Sequence, residues 1–290
     1  MTPDRISTYE RLLQAIGHTS VPGAARLVGK LAPSYDSSRH VMSDFFGLTY
    51  AGDLSELIDW QIFFFGAYAK SELAFLGHCA EILKARYGDL NFFDVGANAG
   101  QHSLFMSRKV REVHAFEPSS TTAKRFQNNI EINSLRNVFL HPVALADADS
   151  EAMLGSGFRG NSGSRSLNWS LPGGLTEKVQ VRDGDMYFRA HGLPRMHLLK
   201  IDVEGHEKKV LHGLRHRLSV DRPLIVMELI GAPECKGGFK DECELRSYLY
   251  PEHELRSLVE RRGRYRPTAF DWECESTVVL PSELCGSILA

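Results

Sequence analysis

Long apolar runs, paired cysteines and a large net charge are all missing from this chain of 290 residues. The longest aromatic-rich run, residues 62–65, is far too short to span a bilayer. The five cysteines include no C-x-x-C pair, which argues against both a disulfide framework and a structural zinc site. A formal net charge of −2 gives no electrostatic reason to expect nucleic acid as a partner. Residues 1–11 lack the apolar stretch of a secretory signal, so we expect a cytoplasmic protein.

One segment, Asn91–Gly100, combines an apolar strand, an acid and a glycine-rich turn. Its phenylalanines suit a buried parallel strand, which would end at Asp94 and the valine after it. The residues from Gly96 onward can turn tightly and let a ligand approach the backbone. Residues 101–110 then resume with helical spacing, so the free N–H groups of a helix start lie beside the turn. This arrangement is typical of a cofactor site.

A second acid supports this interpretation. Glu117 ends the short apolar strand that begins at Val113, and it follows Gly100 by 17 residues. That is close to the spacing of about 20 residues at which an acid on the second strand accepts hydrogen bonds from ribose hydroxyls. Turn and acid together indicate a nucleoside cofactor.

The turn also discriminates among nucleoside cofactors. The dinucleotide fingerprint Gly-x-Gly-x-x-Gly fails at Asn98 and Gln101, and no Gly-Lys-Ser/Thr follows to make a P-loop. Asn98 tolerates the left-handed backbone region, and its amide suits a polar zwitterion better than a close-packed pyrophosphate. The pattern favours S-adenosylmethionine, although a plain strand-to-helix turn is the simpler interpretation of the glycines alone.

The order of elements predicts an α/β fold. From Asn91 onward strands and helices alternate, which builds a parallel sheet with helices on both faces. Residues 155–170, rich in glycine and serine, predict a surface loop, with a lid as the alternative. The first 88 residues predict helices over 6–16, 54–65 and 71–87, with a connecting stretch over 32–53.

A third segment, His197–Glu207, concentrates titratable groups at the end of a strand. Asp202 falls at the carboxyl end, where ligands bind in open α/β sheets, and Glu204 and His206 follow at once. A neighbouring apolar strand ends in Glu228, so its carboxyl should lie near that of Asp202. In the simpler interpretation these residues cap the next helix or face solvent.

These segments resemble the FkbM-type methyltransferases of the class I S-adenosylmethionine-dependent fold. The matching pieces are Phe-Asp-Val-Gly-Ala-Asn-Ala-Gly at 93–100, Phe-Glu-Pro at 116–118, Leu-Lys-Ile-Asp-Val-Glu-Gly-His-Glu at 199–207 and Arg-Pro-Leu-Ile-Val-Met-Glu at 222–228. The likeness covers roughly residues 62–282, and the Lys-Ile-Asp-Val-Glu-Gly block is its most specific part.

The resemblance implies a Rossmann-like seven-stranded sheet, mostly parallel with an antiparallel last strand. Its final hairpin would use residues 255–259 and 277–280, joined by a basic turn over 261–266. Residues 1–88 would form a helical N-terminal extension or cap, and residues 89–290 the S-adenosylmethionine-binding methyltransferase domain. The implied cofactor contacts are the methionine end at Asp94, Gly96, Asn98 and Gly100, the ribose at Glu117, and the adenine at Pro118 and Asp147.

The chemistry expected from this reading is an in-line methyl transfer in which the protein positions an acceptor and removes its proton. The resemblance implies a hydroxyl acceptor. Asp202, Glu204 or His206 would be the base, and histidine titrates nearest neutral pH, which favours His206 if its ring reaches the pocket. Alternatively, Asp202 and Glu228 would hold a hard cation such as Mg²⁺ that lowers the pKa of the acceptor. The sequence does not choose between these two.

Two other functional classes stay open. A nicotinamide-dependent oxidoreductase would reuse the same strand, turn and ribose acid, but the missing glycines and the absence of a Tyr-x-x-x-Lys relay weigh against it. A non-catalytic cofactor-binding module would keep the fold without turnover. For an enzyme, a small-molecule or glycan acceptor is expected: sugar, polyketide, lipid headgroup and small peptide all fit, and the sequence carries no sign of oligomeric state.

Overall fold

The computed structural model describes residues 3–19, 21–34, 38–155, 166–167, 176–232 and 235–289. The helices are α1 (Thr8–Gly17), α2 (Ala24–Leu31), α3 (Leu57–Phe65), α4 (Lys70–Tyr87), α5 (Gln101–Ser107), α6 (Ser120–Ile132), α7 (Gly184–Ala190), α8 (Glu207–Gly213), α9 (Arg215–Asp221), α10 (Glu242–Ser247) and α11 (Cys285–Ile288). The strands are β1 (His40–Phe45), β2 (Leu48–Asp53), β3 (Asn91–Val95), β4 (Glu112–Phe116), β5 (Val138–His141), β6 (Ala144–Ala146), β7 (Ser150–Gly155), β8 (Thr176–Asp183), β9 (Leu198–Ile201), β10 (Leu224–Glu228), β11 (Gly231–Ala232), β12 (Cys235–Lys236), β13 (His253–Arg261), β14 (Arg264–Ala269) and β15 (Ser276–Pro281). Most of the loop expected over 155–170 lies outside the described residues.

The largest sheet has the strand order β14-β13-β15-β10-β9-β3-β4-β5. Its strands β10, β9, β3, β4 and β5 run parallel, and β15 lies antiparallel between β10 and β13. The chain winds outward from β3 to β5 and then returns to β9 on the other side of β3. A crevice therefore forms at the carboxyl ends of β3 and β9, where the direction of winding reverses. The expected α/β sheet with a reversed strand near its end is confirmed.

Helices cover both faces of this sheet because successive strand residues point to opposite sides. Phe92 and Leu198 join a buried cluster with side chains of α4, α5 and α6. Phe93 and Leu199 join a second cluster with side chains of α7, α8 and α9. Burial on both faces explains the continuous apolar runs in these strands.

The sheet has one strand more than the seven expected, since β14 extends its edge beyond β13. Residues 261–266, expected as a basic turn, are the ends of these two strands and a tight turn at Arg262 and Gly263, both with positive φ. Arginines alternate with less polar residues along the start of β14 and face solvent. The arginines led to the prediction of a turn, although charged side chains are also common on exposed edge strands such as β14.

The stretch over 32–53, expected as a connection, contains a β-hairpin instead. Strands β1 and β2 pair antiparallel through a two-residue turn at Phe46 and Gly47. Both turn residues have positive φ, as the hairpin turn that suits the twist of the strands requires. Phenylalanine is an unusual residue for that conformation, and the glycine after it does not by itself distinguish a hairpin turn from a connecting stretch.

Asn129 of α6 and Asn133, the residue just after α6, bind the open edge of β2. The Asn129 side chain accepts a hydrogen bond from the Ala51 N–H at 2.8 Å and donates one to its carbonyl at 3.2 Å. The Asn133 amide makes the same pair of bonds with Thr49, at 2.8 and 2.7 Å. The hairpin is thereby fixed to the main domain through its backbone.

A buried charge pair fixes α3 to the same helix. The Asp59 carboxylate, buried in α3, forms an ion pair with Arg125 of α6 and accepts a hydrogen bond from Tyr50 at 2.7 Å. Side chains of residues 45–83 pack into the same buried cluster as those of β3 and α5. Part of the N-terminal region therefore shares a core with the sheet, whereas Leu13, Val28 and Val41 belong to a separate buried cluster. Within the described part of the chain no helix is both long and apolar enough to cross a bilayer.

Candidate active site

Four neighbouring strands of the main sheet end at one cleft. In spatial order, the residues at their carboxyl ends are Glu117 after β4, Gly96 after β3, Asp202 after β9 and Glu228 at the end of β10. All four line this cleft, together with Glu204 and His206. The expected meeting of Asp202 and Glu228 at adjacent strand ends follows from the parallel pairing of β9 and β10.

The turn after β3 needs its glycines for two different reasons. A Cβ on Gly96, whose φ is 87°, would lie 1.8 Å from the carbonyl oxygen of Asp202. A Cβ on Gly100, whose φ is 86°, would lie 2.1 Å from the ring of Phe126. Gly96 thus allows the two loops of the cleft to touch, whereas Gly100 lets α5 pack against α6 and does not line the cleft. Asn98 has a φ of 49°, the left-handed conformation expected for it.

Glu117 is held by the backbone on both sides of the cleft. One carboxylate oxygen accepts the N–H of Asn98 at 3.0 Å, and the other accepts the N–H of Ser119 at 2.8 Å. The side chain is 8% exposed. A carboxylate oxygen can accept more than one hydrogen bond, so this side chain is of a kind that accepts ligand hydroxyls. The geometry is suited to binding a diol such as ribose.

Asp94 lies beneath the turn and does not line the cleft. It is fully buried, accepts a hydrogen bond from Ser103 of α5 at 2.7 Å, and has a pKa that burial raises. Its other oxygen has no hydrogen-bond partner among the described residues. The position supports the loop from below rather than touching a ligand through its side chain.

The end of the cleft beside Glu117 is apolar. Its walls are Phe116, Pro118, residues 143–145, Leu154 and Leu167. Such a surface suits a flat, weakly polar ring. Asp147 is not among the residues that line the cleft, and its carboxylate lies 3.3 Å from Nδ1 of His212.

The opposite end is acidic and contains one buried lysine. Lys200, 3% exposed, places its Nζ 3.0 Å from the Asp202 carboxylate and 4.0 Å from that of Glu72 on α4. Burial opposes the charge of Lys200, but these acids and Asp94 outweigh it and raise the pKa of the amine. Lys200 therefore stays charged and neutralises Asp202.

Two further carboxyl groups at this end, those of Glu204 and Glu228, form no ion pair among the described residues. Burial and the neighbouring charge of Asp202 raise the pKa of Glu204 to about 8. Burial and the same neighbour also raise the pKa of Glu228. Glu204 holds a strained backbone with a φ of 53°, and its carbonyl accepts a hydrogen bond from Ser166 at 2.9 Å. Non-glycine residues in this region cluster at functional sites.

His206 lines the cleft next to Glu204, at the start of α8. Burial, with a contribution from Lys209, lowers its pKa to about 4, so its ring is neutral at ordinary pH. Glu207 turns inward instead and accepts the N–H groups of Val203 and Gly205 at 3.3 and 3.1 Å. Glu207 thus shapes the loop that presents Glu204.

Gln101, His102 and Glu72 gave no separate signal in the sequence. Gln101 and His102 line the cleft, and Glu72 lies just behind. The aromatic residues at 60, 63–65 and 68 predict either core packing, the simpler interpretation, or a substrate pocket. Of the aromatic residues near position 60, only Tyr68 reaches the cleft, and its pKa is raised to about 12 by burial and by Glu228 and Asp202. The others, at 60 and 63–65, pack with α1 and α2. An acid pattern confined to one strand end cannot reveal partners that arrive from distant helices.

The residues present fit S-adenosylmethionine better than a metal ion. Glu117, the Gly96 turn and the apolar wall match a nucleoside, and neither polar atom of the buried Gln101 amide has a protein partner among the described residues. For Asp202, Lys200 already supplies the positive charge that a cation would bring. Within the described ranges, no group of three or more His, Cys, Asp or Glu side chains is placed to hold a metal.

A parallel sheet that ends in a reversed strand, with a glycine turn after its central strand and an acid after the next, defines the class I methyltransferase fold. The chain belongs to the FkbM methyltransferases: the model described as "Methyltransferase FkbM domain" matches residues 94–265.

Two curated relatives carry methyltransferase names. The chain is 32% identical to "Methyltransferase 1" of Beauveria bassiana (strain ARSEF 2860) over 57% of this chain and 73% of that protein. It is 29% identical to "Hexuronic acid methyltransferase AglP" of Haloferax volcanii over 43% of this chain and half of that protein. A crystal structure of methyltransferase FkbM from Methylobacillus flagellatus KT gives a TM-score of 0.44 at 16% identity, over 66% of this chain and 43% of that one.

Proposed function

We propose that this protein transfers the methyl group of S-adenosylmethionine to a hydroxyl group of a small molecule or glycan. The observation that supports this most is the polarity of the cleft. An apolar wall and the ribose acid lie at one end, and at the other lie carboxyl groups that have no partner among the described residues. When bound, the cofactor supplies a methyl group on a positively charged sulfur. We propose a cytoplasmic setting, because the cysteines are scattered without a C-x-x-C pair and four of them, Cys79, Cys243, Cys274 and Cys285, are free in the described part of the chain.

Among the candidate bases, Glu204 suits the reaction best. Lys200 neutralises Asp202, and the lowered pKa of His206 makes its ring a weak proton acceptor. Glu204 has a pKa close to neutral and lines the cleft. A base whose pKa lies near the working pH combines a useful ionised fraction with a useful driving force for proton transfer.

The nature of the acceptor is tested with labelled S-adenosylmethionine and a panel of hydroxylated compounds. Sugars come first, because one relative is named for hexuronic acid methylation; polyketide alcohols, lipid headgroups and short peptides follow. Each reaction is run with and without a chelator. We expect label to enter a hydroxyl and turnover to survive chelation, since Lys200 balances Asp202. Label on nitrogen or carbon would contradict O-methylation, and loss of turnover with chelator would restore the cation at Asp202 and Glu228.

Cofactor choice is tested separately by thermal denaturation. A ligand that binds the folded state raises the melting temperature. We expect S-adenosylmethionine and S-adenosylhomocysteine to raise it and NAD to leave it unchanged. Stabilisation by NAD alone would favour an oxidoreductase, and cofactor binding without turnover of any acceptor would favour a non-catalytic module.

A further inference from the structure

Glu204 and Glu228 are two cleft carboxyl groups that the fold leaves uncommitted. Both line the cleft, on the loop after β9 and at the end of β10. Among the described residues, neither carboxyl group accepts a hydrogen bond or takes part in an ion pair. By contrast, Glu117, Asp202 and Glu207 in the same region all have such partners. Half-buried carboxyl groups without partners cost free energy unless a ligand uses them.

The charges that face this pair come from every neighbouring element. Glu72 on α4, Asp202 after β9, Glu207 on α8 and Glu275 before β15 all act against ionisation, and Lys200 on β9 is the one counter-charge acting on both glutamates among the described residues. Tyr68 and Tyr265 contribute neutral hydroxyls nearby. Lys200 lies 3.0 Å from Asp202 and is thereby largely neutralised. The pair therefore lacks one positive charge.

The expected direction of the cofactor in the cleft would place its positive charge near Glu204 and Glu228. An adenosine that uses Glu117 and the apolar wall lies over the end of β4 and beyond it, toward residues 143–145. The remainder of the cofactor must then extend over β3 toward β9 and β10. Its sulfur, one carbon from the ribose, consequently lies on the side of Glu204 and Glu228.

We propose that Glu204 and Glu228 form a charge-sensing pair that binds the cationic sulfur of the cofactor, releases a proton as it does so, and regains one from the acceptor hydroxyl. This proposal rests on the proposed function and adds to it the link between cofactor charge and the readiness of the base.

The proton balance of the step is complete. Before transfer the pair is ionised and the sulfur is positive. The acceptor oxygen forms a bond to the methyl carbon as the carbon–sulfur bond breaks, and the electrons of that bond return to sulfur. The hydroxyl proton passes to the carboxylate. A methyl ether, a neutral thioether and a protonated pair remain, so the attraction that held the cofactor is lost with the methyl group and the product is released more readily.

The test measures cofactor binding alone and needs no acceptor. Calorimetry in buffers of different ionisation enthalpy gives the number of protons released when S-adenosylmethionine or S-adenosylhomocysteine binds. At a pH of about 7.5 we expect wild-type protein to release roughly half a proton more with the sulfonium than with the thioether. Glu204→Gln and Glu228→Gln should each abolish the contribution of the pair. Both ligands carry their own amino group, so the comparison between wild type and variants isolates the protein carboxyls.

Affinities provide the second readout. Each variant should weaken S-adenosylmethionine on the order of tenfold and leave S-adenosylhomocysteine within about twofold. Glu131→Gln, which removes the same charge from the exposed face of α6, should change neither. Equal weakening of both ligands, or an unchanged proton count in the variants, would overturn the charge-sensing pair while the cofactor assignment stands. Failure of wild type to bind either ligand would instead remove the proposed function.

If a variant does not fold, the pH dependence of ligand preference in the wild-type protein tests the proposal instead. As the pH rises from about 6 to 9 the pair ionises, so the preference for the sulfonium should grow on the order of tenfold. A preference that follows only the titration of the free ligands would contradict the proposal.

Discussion

At the scale of single residues, the cleft depends on atoms that accept backbone hydrogen bonds or leave room for backbone. Glu117 joins two loops by accepting the N–H groups of Asn98 and Ser119. Gly96 leaves room for the carbonyl of Asp202. The sequence identified both residues from spacing alone, because a strand end followed by glycine and a second acid places them by covalent geometry.

We expect Glu117→Ala to weaken S-adenosylmethionine binding by roughly tenfold to a hundredfold, since it removes a charged acceptor of several hydrogen bonds. Glu117→Gln retains the volume and one acceptor oxygen and should lose less. Isothermal titration calorimetry measures both. Wild-type affinity in Glu117→Ala would remove the residue from the cofactor site.

Gly96→Ala should destabilise the protein by about 3 kcal/mol or more, because the new Cβ meets backbone and must displace a loop. Gly23→Ala is the matched control. Gly23 also has positive φ, 86°, in the left-handed region, but a Cβ there meets nothing within 4 Å, so only the conformational cost of about 1 kcal/mol remains. Urea denaturation compares the two, and equal losses would show that the close approach to Asp202 is not maintained in solution.

At the scale of secondary-structure elements, the junction between the N-terminal region and the sheet depends on α3 and α6. The ion pair of Asp59 and Arg125 is buried on the Asp59 side and satisfied further by Tyr50. Both the Asp53 N–H and the Tyr50 hydroxyl donate to the same carboxylate. Loss of this acid would leave the Arg125 guanidinium and these two donors without their shared partner.

Asp59→Ala should therefore cost about 3 kcal/mol in unfolding free energy, as breaking one side of a buried pair does. Glu151→Gln removes an acid from an exposed ion pair with Lys178 and should have no measurable effect. Chemical denaturation measures both variants. A small loss in Asp59→Ala would mean that water reaches Arg125 readily.

Element prediction succeeded for the strands buried on both faces and failed for the N-terminal hairpin and for β14. The strands β3, β4, β9 and β10 were identified from apolar runs bounded by turns, and the structure confirms them. The prediction of a connecting stretch over 32–53 was wrong. The hairpin of β1 and β2 there alternates exposed and buried residues and turns at Phe46. Glu72 could not be predicted as a neighbour of Lys200, since no local pattern links two elements so far apart in the chain.

At the scale of the whole molecule, the division at residue 88 stays a prediction, and the packing argues for an integral N-terminal region. Phe45, Tyr50 and Leu76 belong to the same buried cluster as Phe92 and Leu104. Tyr68 and Glu72 also contribute to the cleft region from that side. Removing this region would expose the core of one face of the sheet.

We expect a chain of residues 89–290 to show no cooperative unfolding and no binding of S-adenosylmethionine, because it lacks that half of the core. A chain of residues 38–290 loses only α1 and α2 and should fold with a lower melting temperature while it still binds the cofactor. Calorimetry and circular dichroism test both chains. Cooperative unfolding with normal binding by residues 89–290 would establish residue 88 as a true domain boundary.

The two asparagines at the end of α6 affect which substitutions the hairpin can tolerate. Asn129 and Asn133, one helical turn apart, each grip the main chain of alternate residues, Ala51 and Thr49. The rise of a helical turn, about 5–6 Å, nearly matches the span of two strand residues, about 7 Å. Recognition of this kind ignores side-chain identity, so positions 49 and 51 are free to vary while the two amides are not. The rim of the molecule can thus acquire new surface chemistry without loosening its attachment.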